Sequence, residues 1–253
     1  MIEYFFFTFS YLIVLSSLYG YGVLIDKKKD IFFIFLSGYT IIGSIALVLH
    51  FFFPLSNTLS IIIISIGLLI LLFKKISFKK IYLYYFIFFL FVGYLLLGAS
   101  EHAIDSNMYH HPYVSYIKTE KIIFGITNLH SRFGHISFLQ YAQSIFVNDF
   151  FSKYSISFIN IIFFGTFIVY CFEIVISERK NKVLIIFAVF ISCYTLIKFG
   201  RYREFGNDLI PFLISNYLLL IIIKNFSTKK NRNENISYYF PFYVFLTVTH
   251  KIS

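Results

Sequence analysis

The chain has 253 residues, of which 58% are hydrophobic and only 13% are charged, with a mean hydropathy of +0.78. Long uncharged apolar runs at this composition exclude an ordinary soluble domain and predict a membrane protein. The net charge of +10 would indicate a nucleic-acid partner in a soluble protein. Here the basic residues cluster between the apolar runs, so we expect the lipid bilayer as partner and no nucleic acid.

The apolar runs predict an all-α fold, a polytopic transmembrane helical bundle of about eight spans, because a span needs roughly 20 apolar residues. We expect one membrane domain over 1–253, because no internal repeat or linker divides the chain. The chain stops just after an apolar run, which we expect of the amino-terminal part of a longer protein. In chain order the predicted spans are 4–25, 31–53, 59–73, 81–98, 155–176, 183–199, 208–223 and 237–250, the third and seventh being short.

The loops between the predicted spans differ in charge. Loops 26–30, 74–80, 178–182 and 224–235 alternate with the other loops and hold most of the 22 lysine and arginine residues. Basic loops mark the cytoplasmic side, and no basic segment precedes the first span. The sequence therefore predicts an outward amino terminus and an outward location for the polar segment 99–153, the outer loop.

The outer loop holds five of the seven histidines and predicts two short helices. Pro112 is placed to begin a helix that ends near Gly125. Ser137 is placed to cap a second, amphipathic helix with apolar residues at helical spacing. Because this helix is too short to span, we expect both helices to lie along the interface as a lid. The alternative is that the second helix only plugs the outer face. Its apolar face is Phe138, Tyr141, Ala142, Ile145 and Phe146, and its polar face is Gln140, Gln143 and Ser144.

Candidate chemistry in the outer loop centres on Asp105, which follows the end of a predicted span. A partly desolvated carboxylate there has a raised pKa and can act as a general base toward a hydroxyl group. The alternative reading is a helix cap. The neighbouring histidines lack a known metal-ligand spacing, so we predict no metal site and no cofactor, while Mg²⁺ or Mn²⁺ on Asp105 stays open.

The loop at 198–208 is the second predicted outer loop with charged side chains. Arginine forks bind phosphate oxygens in a bidentate manner, so Arg201 and Arg203 are candidates for holding a lipid-linked phosphate. The alternative reading is that they anchor the protein to lipid headgroups.

Two motifs in these loops resemble a known family. Asp105, Tyr109, His110 and Pro112, followed by the segment 128–134 with its Asn-Leu-His and Arg-Phe-Gly residues, resemble the first large outer loop of GT-C-type integral membrane glycosyltransferases. The closer resemblance is to a bacterial multi-spanning family linked to surface-polysaccharide synthesis, whose next outer loop is similar to 201–208. The resemblance covers about residues 80–253, which makes 81–253 a GT-C-like core and 1–80 additional amino-terminal spans.

The resemblance implies inverting transfer of a sugar from a polyprenyl-phosphate-linked donor to a glycan or lipid acceptor. It also implies a multi-pass protein of the bacterial cytoplasmic membrane with an active site at the outer face. The superfamily often has an acidic pair where Asp105 is followed here by Ser106. The implied catalytic residues are Asp105, Tyr109 and His110. The implied substrate-binding residues are His111, His130, Arg132, Arg201, Arg203, Glu204 and Asp208.

Two other functions stay as alternatives. A transporter or flippase for a lipid-linked glycan would need polar groups or broken helices within the membrane, and the predicted spans have almost no ionisable residues. A non-catalytic scaffold of an envelope complex would tolerate substitution of Asp105 and His110.

Overall fold

The computed structural model describes residues 2–26, 30–74, 110–123, 137–198 and 208–227, together with residues 108, 125, 128 and 244. These ranges form α-helices, one short 3-10 turn at Ser155–Ser157 and no strand. The helices of the described ranges are α1 Ile2–Gly22, α2 Ile31–His50, α3 Asn57–Phe73, α4 His111–Thr119, α5 Phe138–Phe146, α6 Phe158–Ser177, α7 Lys182–Ile197 and α8 Leu209–Ser227.

The described residues confirm the predicted all-helical fold. Four of the described helices, namely α1, α2, α6 with its preceding turn, and α8, are long and apolar enough to cross a membrane. The apolar helices α3 and α7 are shorter. The seventh predicted span was expected to be short, but α8 has 19 residues. The predicted spans 81–98 and 237–250 lie outside the described residues.

The first three helices pack through very close backbone contacts. A Cβ atom added at Gly20 of α1 would overlap the carbonyl group of Gly67 in α3. Two hydroxyl groups of α1 reinforce this contact, because Ser17 Oγ donates to the carbonyl of Ile64 at 3.2 Å and Tyr21 Oη donates to that of Ile63 at 2.8 Å. Small residues permit such close approach, and hydrogen bonds between helices strengthen it. Gly22 and Gly38 allow the same closeness between α1 and α2.

The two ends of the bundle have different polar contacts. At one end, here called the basic end, Lys224 forms an ion pair with Glu178 at 2.8 Å, and Tyr217 Oη donates to Asp30 at 2.8 Å. The opposite end, called the pocket end, contains the α2–α3 connection, α4 and the segment that follows α5. Among the described helices, α1 and α3 run antiparallel to α2, and Asp30, Glu178 and Lys224 of three predicted basic loops lie at the basic end.

Helix α5 begins beside the middle of α2. The ring of Phe138 packs edge-on against Tyr39 at 5.3 Å between centroids, and it covers Gly43, where a Cβ atom would overlap the ring. Tyr141, one turn later, contacts His50 at the end of α2. A nine-residue helix is about 14 Å long, so α5 extends from the centre of α2 to the pocket end.

The predicted placement of α5 along the interface is wrong. Ser137 caps the helix as expected, and Gln140 completes a capping box with it. The predicted polar face, however, is buried, with Gln140, Gln143 and Ser144 at most 3% exposed. Gln143 Nε2 donates to the carbonyl of Ile156 at 3.1 Å, and Gln140 contacts His110, the residue before α4. Both faces of α5 are covered because α2, α3, α4 and α6 surround it.

Helix α4 begins at His111 with Pro112 in its first turn, as predicted, but it ends at Thr119 and not near Gly125. Its carboxyl end is tied to the α2–α3 connection. Leu55 donates its backbone N–H to the carbonyl of Ile117 at 3.0 Å, and Ile122 donates to that of His50 at 3.3 Å. These bonds divert the chain into an extended conformation at Glu120. The linking segment 125–134 lies almost entirely outside the described residues.

Candidate functional site

A hydrogen-bonded group joins α2, α4 and α5 at the pocket end. His50 Nε2 lies 2.9 Å from the Glu120 carbonyl, which can only accept, so Nε2 carries a proton. In the neutral ring, Nδ1 is then the acceptor for Tyr141 Oη at 3.3 Å. Tyr113 donates in turn to Tyr141. Burial and the neighbouring Tyr141 raise the pKa of Tyr113, so both phenols are neutral at physiological pH.

We expect Tyr141→Phe to lower the free energy of unfolding by about 1 kcal/mol, because it removes a hydroxyl group between two partners while preserving the ring. The measurement is thermal or denaturant unfolding of the purified protein in detergent. Tyr194→Phe on α7, whose ring is exposed, is the matched control. If both variants and the wild type have the same free energy of unfolding, the hydroxyl group of Tyr141 has no stabilising role.

The predicted catalytic residue His110 lies beside α5. It is 5% exposed, and Gln140 Nε2 donates to its Nδ1 at 3.0 Å. Because Gln140 Oε1 faces the backbone N–H of Ser137, the amide orientation is fixed and its nitrogen points to the histidine. The amide therefore orients the ring and makes Nδ1 an acceptor, which places the proton of the neutral ring on Nε2.

A pocket with charged and hydroxyl groups in its wall opens at the pocket end, beside α4. Its volume is about 690 Å³, within the range of about 300–1,000 Å³ that is usual for small-molecule sites. The wall combines one cationic, one carboxylate and several hydroxyl side chains with a few apolar ones. The lining residues are Ser56, Asn57, His111, Pro112, Val114, Ser115, Lys118, Thr119, Val147 and Asp149.

The carboxylate of the pocket is held at the start of α3. Asn57 Nδ2 donates to Asp149 Oδ2, and Asn148 Nδ2 donates to the carbonyl of Asn57 at 3.3 Å. Asn148 Oδ1 also accepts from the backbone N–H of Phe150 at 3.0 Å, which closes a turn around Asp149. A negative charge is favourable at a helix amino terminus because of the helix dipole. The Asp149 side chain is thus fixed at the pocket mouth although the residue is exposed.

The cation of the pocket is Lys118, in the last turn of α4. Its Nζ donates to the carbonyl of Ser144 near the end of α5 at 3.4 Å. Burial lowers the pKa of Lys118 to about 8, and the negative charge of Asp149 opposes part of that effect. At neutral pH the ammonium form is therefore still the major form, but it is poorly hydrated.

This arrangement suits recognition of a hydroxylated, negatively charged small molecule. Asp149 can accept hydrogen bonds from hydroxyl groups or remove a proton from one. Lys118 can stabilise negative charge on a bound or departing group. Within the described ranges, no group of three or more histidine, cysteine, aspartate or glutamate residues is arranged to hold a metal ion. Cys171 and Cys193 are free thiols in separate helices.

The structure brings only part of the predicted site together. His111 lines the pocket, and His110 is buried next to it in the chain. Asp208 is exposed before α8 and is not among the lining residues. The predicted residues that lie outside the described residues are Asp105, Tyr109, His130, Arg132, Arg201, Arg203 and Glu204.

Sequence reasoning missed the residues that carry the chemistry of the pocket. Lys118 was not singled out within the helix predicted to begin at Pro112, and Asn57 and Asp149 belong to different polar segments 92 residues apart. The available signal was an Asn-Asp pair directly after an amphipathic helix. No spacing rule connects that pair to the start of α3.

No curated protein and no solved structure matches the chain significantly. The sequence model of one family, described as a domain of unknown function (DUF8201), matches residues 1–253. The chain, with its pocket beside α4, therefore belongs to the DUF8201 family.

Proposed function

We propose that this protein is a membrane glycosyltransferase-like enzyme of bacterial cell-envelope polysaccharide synthesis. It transfers a sugar from a polyprenyl-phosphate-linked donor to a glycan or lipid acceptor. The observation that supports this proposal best is the pocket beside α4, where Asp149 and Lys118 offer a carboxylate and a cation to a hydroxylated ligand. Such a reaction needs acceptors that hold the hydroxyl groups of the sugar and a cation that binds a negatively charged group of a substrate.

The proposed topology puts the pocket on the outer face of the cytoplasmic membrane. The apolar runs predict about eight spans, and the charge of the loops predicts an outward amino terminus and an outer loop at 99–153. The pocket lies opposite the basic end, where Lys224 and Glu178 pair, which agrees with this orientation. A lipid-linked donor would reach the pocket from the surrounding bilayer.

In this proposal Asp105 is the general base, and Tyr109 and His110 are the other catalytic residues. Asp105 precedes α4 by only six residues. His111 and Asp208, with His130, Arg132, Arg201, Arg203 and Glu204, take part in substrate binding. Lys118 and Asp149 join this set because both line the pocket. No cofactor is included in the proposal.

The test uses the full chain in liposomes that contain a polyprenyl-phosphate-linked radioactive sugar and a polysaccharide acceptor extract. Transfer of label from the lipid phase to the acceptor, dependent on the protein, supports the proposal. Label that stays on the lipid in every condition, while surface glycan of a deletion strain stays normal, contradicts it.

A transporter or flippase for a lipid-linked glycan is the second candidate, and α5 favours it. This helix reaches the middle of α2 at Tyr39, and its Gln140, Gln143 and Ser144 are buried. Interrupted helices with polar groups near the membrane centre are typical of transporters. The same liposomes separate the two functions. Transport would make the labelled lipid accessible to an external glycosidase without forming a new glycosidic bond.

We expect the double variant Arg201→Gln, Arg203→Gln to raise the KM for the lipid-linked donor about tenfold or more, because two phosphate-binding forks are lost. Initial rates at varied donor concentration measure this effect, with Arg179→Gln in a basic loop as the control. An unchanged KM would assign both arginines to headgroup anchoring and contradict their role in donor binding.

A further inference from the structure

The ammonium group of Lys118 is only partly compensated within the pocket. An ammonium group has three N–H donors, and among the described residues the hydrogen bond to the Ser144 carbonyl is its one hydrogen bond. Asp149 affects it electrostatically, yet these two side chains do not approach within ion-pair distance. The pocket therefore contains a half-buried cation that lacks a direct anionic partner in the described part of the chain.

The Asp149 carboxylate offers acceptors for hydroxyl groups. Asn57 Nδ2 donates to Asp149 Oδ2 and holds the carboxylate, and Asp149 is exposed and lines the pocket. An ionised carboxylate accepts several hydrogen bonds, so lone pairs remain for a ligand. A fixed acceptor group thus lies in the same pocket as the cation.

We propose that this pocket binds an acidic saccharide, with the carboxylate or phosphate group of the ligand at Lys118 and its hydroxyl groups at Asp149. The inference rests on the proposed function, since it assigns an acidic chemical class to the glycan acceptor. A neutral sugar would leave the ammonium group uncompensated. A polyphosphate would be repelled by the fixed Asp149 carboxylate. A ligand with one acidic group and several hydroxyl groups can compensate the charge of Lys118 and donate hydrogen bonds to Asp149.

The charge of the pocket changes with pH in a defined direction. Since burial lowers the pKa of Lys118 to about 8, the cation is present below this pH and is lost above it. The other ionisable groups that face the pocket are His111 on α4 and Asp149 after α5, whereas Ser56, Asn57 and Ser144 do not ionise. Affinity for an acidic saccharide is expected to fall as pH rises through about 8, and affinity for a neutral one to stay constant there.

The experiment measures binding by the full chain in detergent micelles or nanodiscs, with glucuronate, glucose 6-phosphate and glucose as probes at pH 7. Glucuronate or glucose 6-phosphate is expected to bind about tenfold more tightly than glucose, because a charge-assisted hydrogen bond replaces a neutral one. The better of the two acidic probes identifies the source of the charge. Equal affinity for all three probes overturns the proposal.

Variants separate the charge of Lys118 from its packing. Lys118→Gln is expected to abolish the preference for the acidic probes while glucose binding persists, which shows that the pocket is intact. Lys118→Arg keeps the charge and should keep the preference. Lys153→Gln, which removes a surface ion pair with Glu3 away from the pocket, is the control. A preference that survives in Lys118→Gln overturns the proposal.

The binding assay and the liposome transfer assay test the two proposals separately, so one proposal can be rejected without the other. Preserved discrimination between glucuronate and glucose without sugar transfer rejects the glycosyltransferase and supports an acidic-saccharide site. Active transfer without discrimination rejects the acidic-saccharide site alone.

Discussion

Replacement of Asp105 by asparagine is expected to abolish sugar transfer while leaving protein level and membrane insertion normal. The asparagine amide keeps the shape of the aspartate side chain, but it cannot remove the proton from the hydroxyl group of the acceptor. Loss of a general base lowers the rate by roughly a hundredfold to ten-thousandfold. The measurements are the initial rate of label transfer in liposomes and surface glycan in a complemented deletion strain. Glu3→Gln, a carboxylate that pairs with Lys153 at the protein surface, is the control.

Asp149→Asn tests the competing assignment at the same time. Asp149 is fixed by Asn57 at the pocket mouth, so it is the described carboxylate that a bound hydroxyl group would meet. If Asp105 is the base, Asp149→Asn should mainly weaken acceptor binding and raise the KM for the acceptor. A wild-type rate in Asp105→Asn together with an inactive Asp149→Asn would transfer the role of base to Asp149. Wild-type rates in both variants would contradict the catalytic proposal.

The largest effect on stability is expected from Gly67→Leu. An added Cβ atom would overlap Ser17 of α1, and the ring of Tyr21 lies within 2.8 Å of it. Relief of this overlap requires α1 and α3 to separate, which also breaks the hydrogen bonds of Ser17 and Tyr21 to α3. Overpacking in a tight core costs about 1–3 kcal/mol, and the lost hydrogen bonds add about 1 kcal/mol each.

Gly67→Leu should therefore unfold at a much lower temperature in detergent, or be degraded in cells. Ser65→Leu is the matched control, since Ser65 lies on the exposed side of the same helix. Both variants add an equally large apolar side chain to α3, and only the buried one meets a neighbouring backbone. If Gly67→Leu and Ser65→Leu unfold at the same temperature, the close packing of α1 and α3 is not important for stability.

The parts of the fold that depend on local composition were predictable from the sequence. Apolar runs predicted six helices that the structure describes, because burial in a bilayer requires long uncharged segments. Ser137 and Pro112 predicted helix starts, because capping oxygens and a fixed backbone angle act within a few residues. The end of α4 was not predictable, since this part of the chain is held by hydrogen bonds to the distant Leu55 and His50.

The burial of α5 could not be predicted from the sequence. Its amphipathic pattern predicted that the polar face, which includes Gln140 and Gln143, is exposed to solvent. They are buried because His110 and the carbonyl of Ile156 supply partners from other parts of the chain. The residue pattern of a helix predicts which face is polar, but it does not predict which other parts of the chain pack against that face. For the same reason the proximity of Lys118 to Asp149 was visible only in three dimensions.

The position of α5 also has a consequence for the biogenesis of the protein. With nine residues and several polar side chains, α5 is too short and too polar to enter a bilayer by itself. Its walls come from α2, α3 and α6, which precede and follow it by long stretches of sequence. Insertion of these spans must come first, and docking of α5 between them completes the assembly. Before α5 docks, the chain can have all its spans in the membrane. Such a chain is inserted, but it still lacks its binding pocket.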